Sequence, residues 1–316
     1  MSSRHLVDPQ LLPILDMMPP LSLSAETLPG IRARAAPLQV DPADLERTEL
    51  QIRTIPGPAG APDLAVLVYR PAGASDALPA ILHIHGGGYV LGDAKSQEPV
   101  HRALAADLAC VIVSVNYRLA PETVFPGAVE DCYAALAWMV GQAQDLGVDT
   151  ARIGVMGESA GGGLAAGLAL LARDRGEYKL AFQHLIYPMI DDRTCVPAES
   201  HPYVGEFVWT PASNHFGWTS ILGHEPGRDG VSPYVAAARA EDLSGLPPTY
   251  IATGALDLFL EEDLEYARRL IRAGVPLELH VYPGAFHGFH WAVQSEVAQT
   301  AARDARSSLA RALNPK

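Results

Sequence analysis

Short apolar runs recur along the chain, and from the third onward longer stretches of helical periodicity separate them. Thr48 to Ile55 and Leu64 to Tyr69 alternate as two early antiparallel strands would. The runs Ala80–His85, Val111–Asn116, Arg152–Gly157, Ala181–Tyr187, Thr249–Thr253 and Leu277–Tyr282 bring the expected strands to eight. Helical patterns cover Glu98–Leu108, Gly127–Gln144, Leu260–Ala273 and roughly Trp291–Leu313. Strand–helix alternation of this kind predicts a mostly parallel sheet with helices on both faces.

Two apolar stretches fall outside the alternation. One runs from the N-terminus to about Val40 and carries Leu11, Leu12, Ile14, Leu15, Met17 and Met18. The other, Thr194 to about Ser232, carries Phe207, Val208, Trp209, Phe216, Trp218 and Ile221. Ligands of open α/β sheets bind at the C-terminal edge of the strands, so these stretches are expected to form a cap there rather than two separate packing clusters. The chain then divides into an N-terminal cap segment at 1–45, a first part of the α/β core at 46–193, a cap insertion at 194–232 and a second part of the core at 233–316.

Composition narrows the function. The 316 residues are 48% hydrophobic and 19% charged, an ordinary globular balance. A net charge of −13 argues against nucleic acid or an anionic membrane as partner. Cys110, Cys132 and Cys195 are widely spaced and odd in number, so neither a disulfide framework nor a zinc site is expected. Leu11 to Met18 is broken by Pro13 and Asp16 and has no basic run before it, unlike a signal peptide, and no segment is as long and apolar as a membrane span. The expectation is a cytoplasmic enzyme.

The chemistry concentrates in two glycine-rich motifs. Gly157-Glu158-Ser159-Ala160-Gly161 ends a strand pattern and opens a helical one. A sharp turn there lifts the serine hydroxyl above the sheet at a helix N-terminus, poised to attack a carbonyl. His85-Gly86-Gly87-Gly88-Tyr89 directly follows the third strand. Consecutive glycines leave backbone N–H groups uncovered, the kind of fixed donor that an oxyanion needs.

A serine nucleophile also needs a base, and the base an acceptor that fixes its tautomer. Of eleven histidines, His287 follows the eighth strand in the glycine-flanked loop Gly284 to Gly288, at the same edge as Ser159. His290 is its nearest rival. His83, His184 and His280 fall within strand patterns, and His201, His215 and His224 within the insertion. Asp257, just after the seventh strand, is the expected acid, with Asp263, Asp191 and Asp192 as rivals. Glu158 is read as support for the turn.

These motifs, in this order on these strands, resemble the α/β-hydrolase fold and, within it, the hormone-sensitive-lipase-like esterases. The resemblance spans about Leu64 to Phe289 and includes Tyr117-Arg118-Leu119-Ala120-Pro121-Glu122, Asp257-Leu258 and His287-Gly288-Phe289. It implies the triad Ser159, Asp257 and His287, with an oxyanion hole of Gly87, Gly88 and Ala160. It also implies a helical cap built from the N-terminus and an insertion after the sixth strand, and no metal or organic cofactor. The activity it implies is hydrolysis of short- to medium-chain acyl esters. An amidase or deacetylase would use the same triad, and a non-catalytic receptor on this fold would lack the histidine that His287 supplies. The expected partner is a small-molecule ester. The eighth strand should lie at a sheet edge, which invites a homodimer.

Overall fold

The computed structural model describes residues 2–18, 21–34, 39–197, 199 and 201–315. Positions 1, 19, 20 and 35–38 of the first expected cap segment, and 198 and 200 of the second, lie outside the described residues. Three short helices come first, α1 (Leu12–Met17), α2 (Leu28–Arg32) and α3 (Pro42–Arg47). The sheet follows as β1 (Thr48–Ile55), β2 (Leu64–Pro71), β3 (Leu78–Ile84), β4 (Val111–Val115), β5 (Val148–Glu158), β6 (Gln183–Ile186), β7 (Thr249–Gly254) and β8 (Leu277–Tyr282). Between and after these strands lie α4 (Glu98–Leu108), α5 (Gly127–Gly141), α6 (Ala143–Leu146), α7 (Ala160–Arg175), α8 (Pro211–Leu222), α9 (Leu260–Arg272) and α10 (Glu296–Leu313).

The strand order is β1-β2-β4-β3-β5-β6-β7-β8. Only the β1–β2 and β2–β4 pairs are antiparallel. The apolar runs of β4 and β7 are buried throughout, as strands covered on both faces must be. Successive residues sort to opposite faces. Leu82, Val113 and Val155 join a core with α5, α7 and α9, whereas Ile81, Ile112 and Met156 pack toward α4 and α10.

The chain leaves β3 for β4 on one side and returns to β5 on the other, so β3 and β5 become neighbours with Ile84 paired to Gly157. The loops after these two strands therefore emerge side by side, at the reversal of strand order where open sheets bind ligands.

Two helix boundaries differ from expectation. The stretch 127–144 breaks after Gly141, a poor helix former. The last helix starts at Glu296 rather than near Trp291, because Ser295 caps it by accepting a hydrogen bond from the Ala298 N–H.

Candidate active site

Ser159 sits between β5 and α7 at φ 55°, ψ −124°, strained for a residue with a side chain. Surrounding contacts hold it there. Its N–H donates to Ile186 O at 2.9 Å, and its carbonyl accepts from the N–H groups of Gly163 and Met189. The turn is so tight that a Cβ on Gly161 would lie 2.0 Å from Ile84 O. The second glycine of the motif is thus required by the close approach of α7 to the end of β3.

The structure brings the three distant residues together. His287 Nε2 lies 2.9 Å from Ser159 Oγ, and His287 Nδ1 lies 2.8 Å from Asp257 Oδ2. The other Asp257 oxygen accepts from the Phe259 N–H at 3.0 Å. Asp257 is fully buried, and Ser159 and His287 are each 6% exposed. Phe259 presents its edge to the His287 ring, and Tyr187 packs 4.5 Å from it. Such a dry setting strengthens the hydrogen bonds among the three.

The rival residues have other duties. His290 Nδ1 bonds to the Tyr187 hydroxyl at 2.6 Å. Asp192 pairs with Arg239 through both oxygens and accepts from the Gly227 N–H, which ties together the two ends of the insertion. Asp191 pairs with Arg193. Asp263 is buried on α9, and burial, then Glu262 and Asp257, push its carboxyl well above the usual range. Glu158 turns away from the serine and meets His83 Nε2 at 3.1 Å.

The glycine loop lies against the turn that carries Ser159, the elbow between β5 and α7, where a Cβ on Gly86 would lie 2.9 Å from Glu158 O. Among the described residues, the N–H groups of Gly87 and Gly88 have no acceptor, and Ala160 opens α7, where the first N–H groups lack helical partners. His85 anchors the loop below. Its ring stacks on Tyr117 at 4.3 Å, and its Nδ1–H donates to Gly86 O at 2.8 Å. Burial pushes this imidazole down to about 4, so it is neutral and structural.

Both apolar stretches outside the alternation reach this site. A Cβ on Gly88, at φ 60°, would lie 2.1 Å from the Trp209 ring, so the insertion rests an indole directly on the glycine loop. The same ring is 6.2 Å from His287. Trp218 on α8 packs against Tyr89. From the N-terminal stretch, Arg32 donates to Val90 O and Ala120 O and pairs with Glu122. Arg118 pairs instead with Asp131 on α5. The two stretches also touch each other, through Ser3 to Glu206 and Ser213 to Leu21 O. The sequence offers Trp209, with Phe207, Phe216 and Trp218, as an aromatic of the expected cap and a candidate pocket wall, whereas Tyr187 and Arg32 carry no motif that marks them as site neighbours.

Among the described residues, no cluster of His, Cys, Asp and Glu has the arrangement of a metal site, and no helix is long and apolar enough to cross a membrane. The arrangement is that of a serine whose proton an oriented imidazole can take, beside unpaired backbone donors.

Comparison with known proteins points to the same fold. The sequence matches the alpha/beta hydrolase fold family over residues 81–291. It is 37% identical over 314 residues to carboxylesterase NlhH of Mycobacterium tuberculosis, covering 98% of this chain and 97% of that one. It is 34% identical over 288 residues to esterase LipI of the same organism, covering 90% and 88% of the two chains. Among solved structures, a bacterial heroin esterase superposes with a TM-score of 0.90 at 37% identity, over 99% of this chain and 100% of that one.

Proposed function

Because the chain belongs to the hormone-sensitive-lipase-like esterases of the α/β-hydrolase fold, we propose that it hydrolyses short- to medium-chain acyl esters through Ser159, His287 and Asp257. The observation that carries this reading is the unbroken line of hydrogen bonds from Ser159 Oγ through His287 to Asp257. Ser159 attacks the ester carbonyl carbon while His287 Nε2 takes its proton. Asp257 keeps the proton of the neutral ring on Nδ1 and stabilises the imidazolium that forms. The N–H groups of Gly87, Gly88 and Ala160 hold the oxyanion of the tetrahedral intermediate. His287 returns the proton to the leaving alcohol, and water repeats the sequence on the acyl-enzyme.

The described residues of 1–45 and 194–232 act in this reading as one cap, with Trp209 forming the wall over the oxyanion loop. A homodimer pairing through the β8 edge, where Leu279 and Val281 are part-exposed, completes it. Light scattering at micromolar concentration tests that part, and a monomer removes it.

The central test is hydrolysis of p-nitrophenyl esters from acetate to palmitate by the native protein and by Ser159→Ala. Short and medium esters turn over, and the variant loses on the order of 10⁴-fold or more in kcat. A native protein inactive on every ester, or a variant of equal activity, overturns the assignment.

A further inference from the structure

Beside Tyr187, α4 and α10 part over the sheet. They leave a cavity of about 490 Å³ against the ends of β5, β6 and β7. Val100, Ala302, Tyr187 and Phe289 are among its walls. The cavity also holds one carboxylate, that of Glu158, which is 17% exposed. Among the described residues its only hydrogen-bond donor is a single ring nitrogen, His83 Nε2. A carboxylate has about four acceptor positions, so most of this group's capacity faces the cavity unused.

No permanent cation answers it, and His83 does so only when its ring is protonated. Burial pushes the neighbouring His290 down to about 4, so that ring is neutral at ordinary pH. Arg306, the one Arg or Lys in the lining, is held by Asp107. Burial works to raise the Glu158 carboxyl, yet its neighbours, His83 first, hold it below the usual carboxylate range, so it stays ionised.

A charged carboxylate in a cavity whose walls are mostly apolar, with Gln97 and Gln299 as its uncharged amides, favours a counter-charge. An anion is repelled. A metal ion finds no second carboxylate in the lining. An organic cation satisfies the carboxylate, buries an apolar body against Val100 and Ala302, and meets the aromatic rings of Tyr187 and Phe289. We propose that the cavity between α4 and α10 is a binding site for an organic ammonium ion with an apolar body, its nitrogen held by Glu158. The site is separate from the acyl-transfer centre but adjoins it twice. Glu158 is bonded to Ser159 through the chain, and the Tyr187 ring stands 4.5 Å from His287. A bound cation therefore changes the turnover of the triad without competing for the ester.

Titration calorimetry with benzyltrimethylammonium chloride and the near-isosteric neutral alcohol dimethyl benzyl carbinol tests binding. This readout does not depend on the esterase reading. The ammonium ion binds the native protein at least ~10-fold more tightly than the carbinol. Glu158→Gln, checked for folding by circular dichroism, removes that preference. Ala302→Trp, at an exposed position on α10, blocks the cavity and abolishes binding of both. Equal affinity of the native protein for the two probes overturns the proposal, as does binding that survives Ala302→Trp. In p-nitrophenyl butyrate hydrolysis the ammonium probe lowers kcat and leaves KM unchanged. A rise in KM alone places the probe in the ester site and overturns the claim of a separate one.

Discussion

The behaviour of single residues here is set by how close the backbone comes. Gly161→Ala places a methyl group 2.0 Å from Ile84 O, in a turn with no room to relax. The expected cost is about 3 kcal/mol or more, read as a fall in the denaturant midpoint. An unchanged midpoint would show that the approach of α7 to β3 is looser than the structure has it. Asp257→Asn is a different kind of change, because it keeps shape and removes charge. The asparagine NH₂ or oxygen then faces His287 Nδ1, the tautomer is no longer fixed, and the imidazolium loses its counter-charge. By the behaviour of other serine triads, kcat falls on the order of 10⁴-fold with little change in melting temperature. A loss under tenfold would move the acid role to another carboxylate.

Among the elements, the loop after β3 is held from three sides. The elbow lies beneath it, Trp209 of the insertion rests on Gly88, and Arg32 of α2 takes the carbonyls of Val90 and Ala120. Charged donors to buried carbonyls contribute more than neutral ones, so Arg32→Ala costs about 2 kcal/mol. The more telling effect is kinetic. Loosening donors that must stand ready for the oxyanion lowers kcat by about tenfold or more, with KM little changed. If stability falls and kcat does not, α2 is only a strut.

At the scale of the whole molecule, the two faces of the sheet are unlike. The core on the side under α5, α7 and α9 is mostly aliphatic with a few aromatic rings such as Tyr133 and Tyr266, while the side toward α4 and α10 carries His83, His101, Glu158, His184 and Tyr250. Burial pushes His184 on this side, and His85 in the glycine loop, down to about 4. The unfolded chain takes up these protons near pH 6.5, where the folded protein does not. The stabilising contribution of each neutral ring is thus fully present above about pH 6.5 and is lost as pH falls toward 4. It amounts to on the order of 3 kcal/mol per ring at full shift. Calorimetry between pH 7.5 and 4.5, outside any range of aggregation, should show the melting temperature dropping steadily. A flat profile would mean that these histidines are not held neutral.

The local pattern of the chain by itself determined the eight strands, the main helices and the two glycine motifs, because alternation, periodicity and turn residues act over a few positions. It also singled out Ser159, Asp257 and His287, since each follows a strand and strand ends share one edge of a parallel sheet. The boundaries at Gly141 and Ser295 were less legible, since a break and a cap interrupt a pattern that otherwise continues. The tertiary structure alone decided what surrounds the three residues. Nothing in the spacing of Trp209, Tyr187 and Arg32 announces an indole over Gly88, a phenol beside His287 or a guanidinium on the carbonyls of Val90 and Ala120. These contacts join segments far apart in the chain, and only the crossover that makes β3 and β5 neighbours, together with the folding of both outlying stretches onto that edge, brings them within reach.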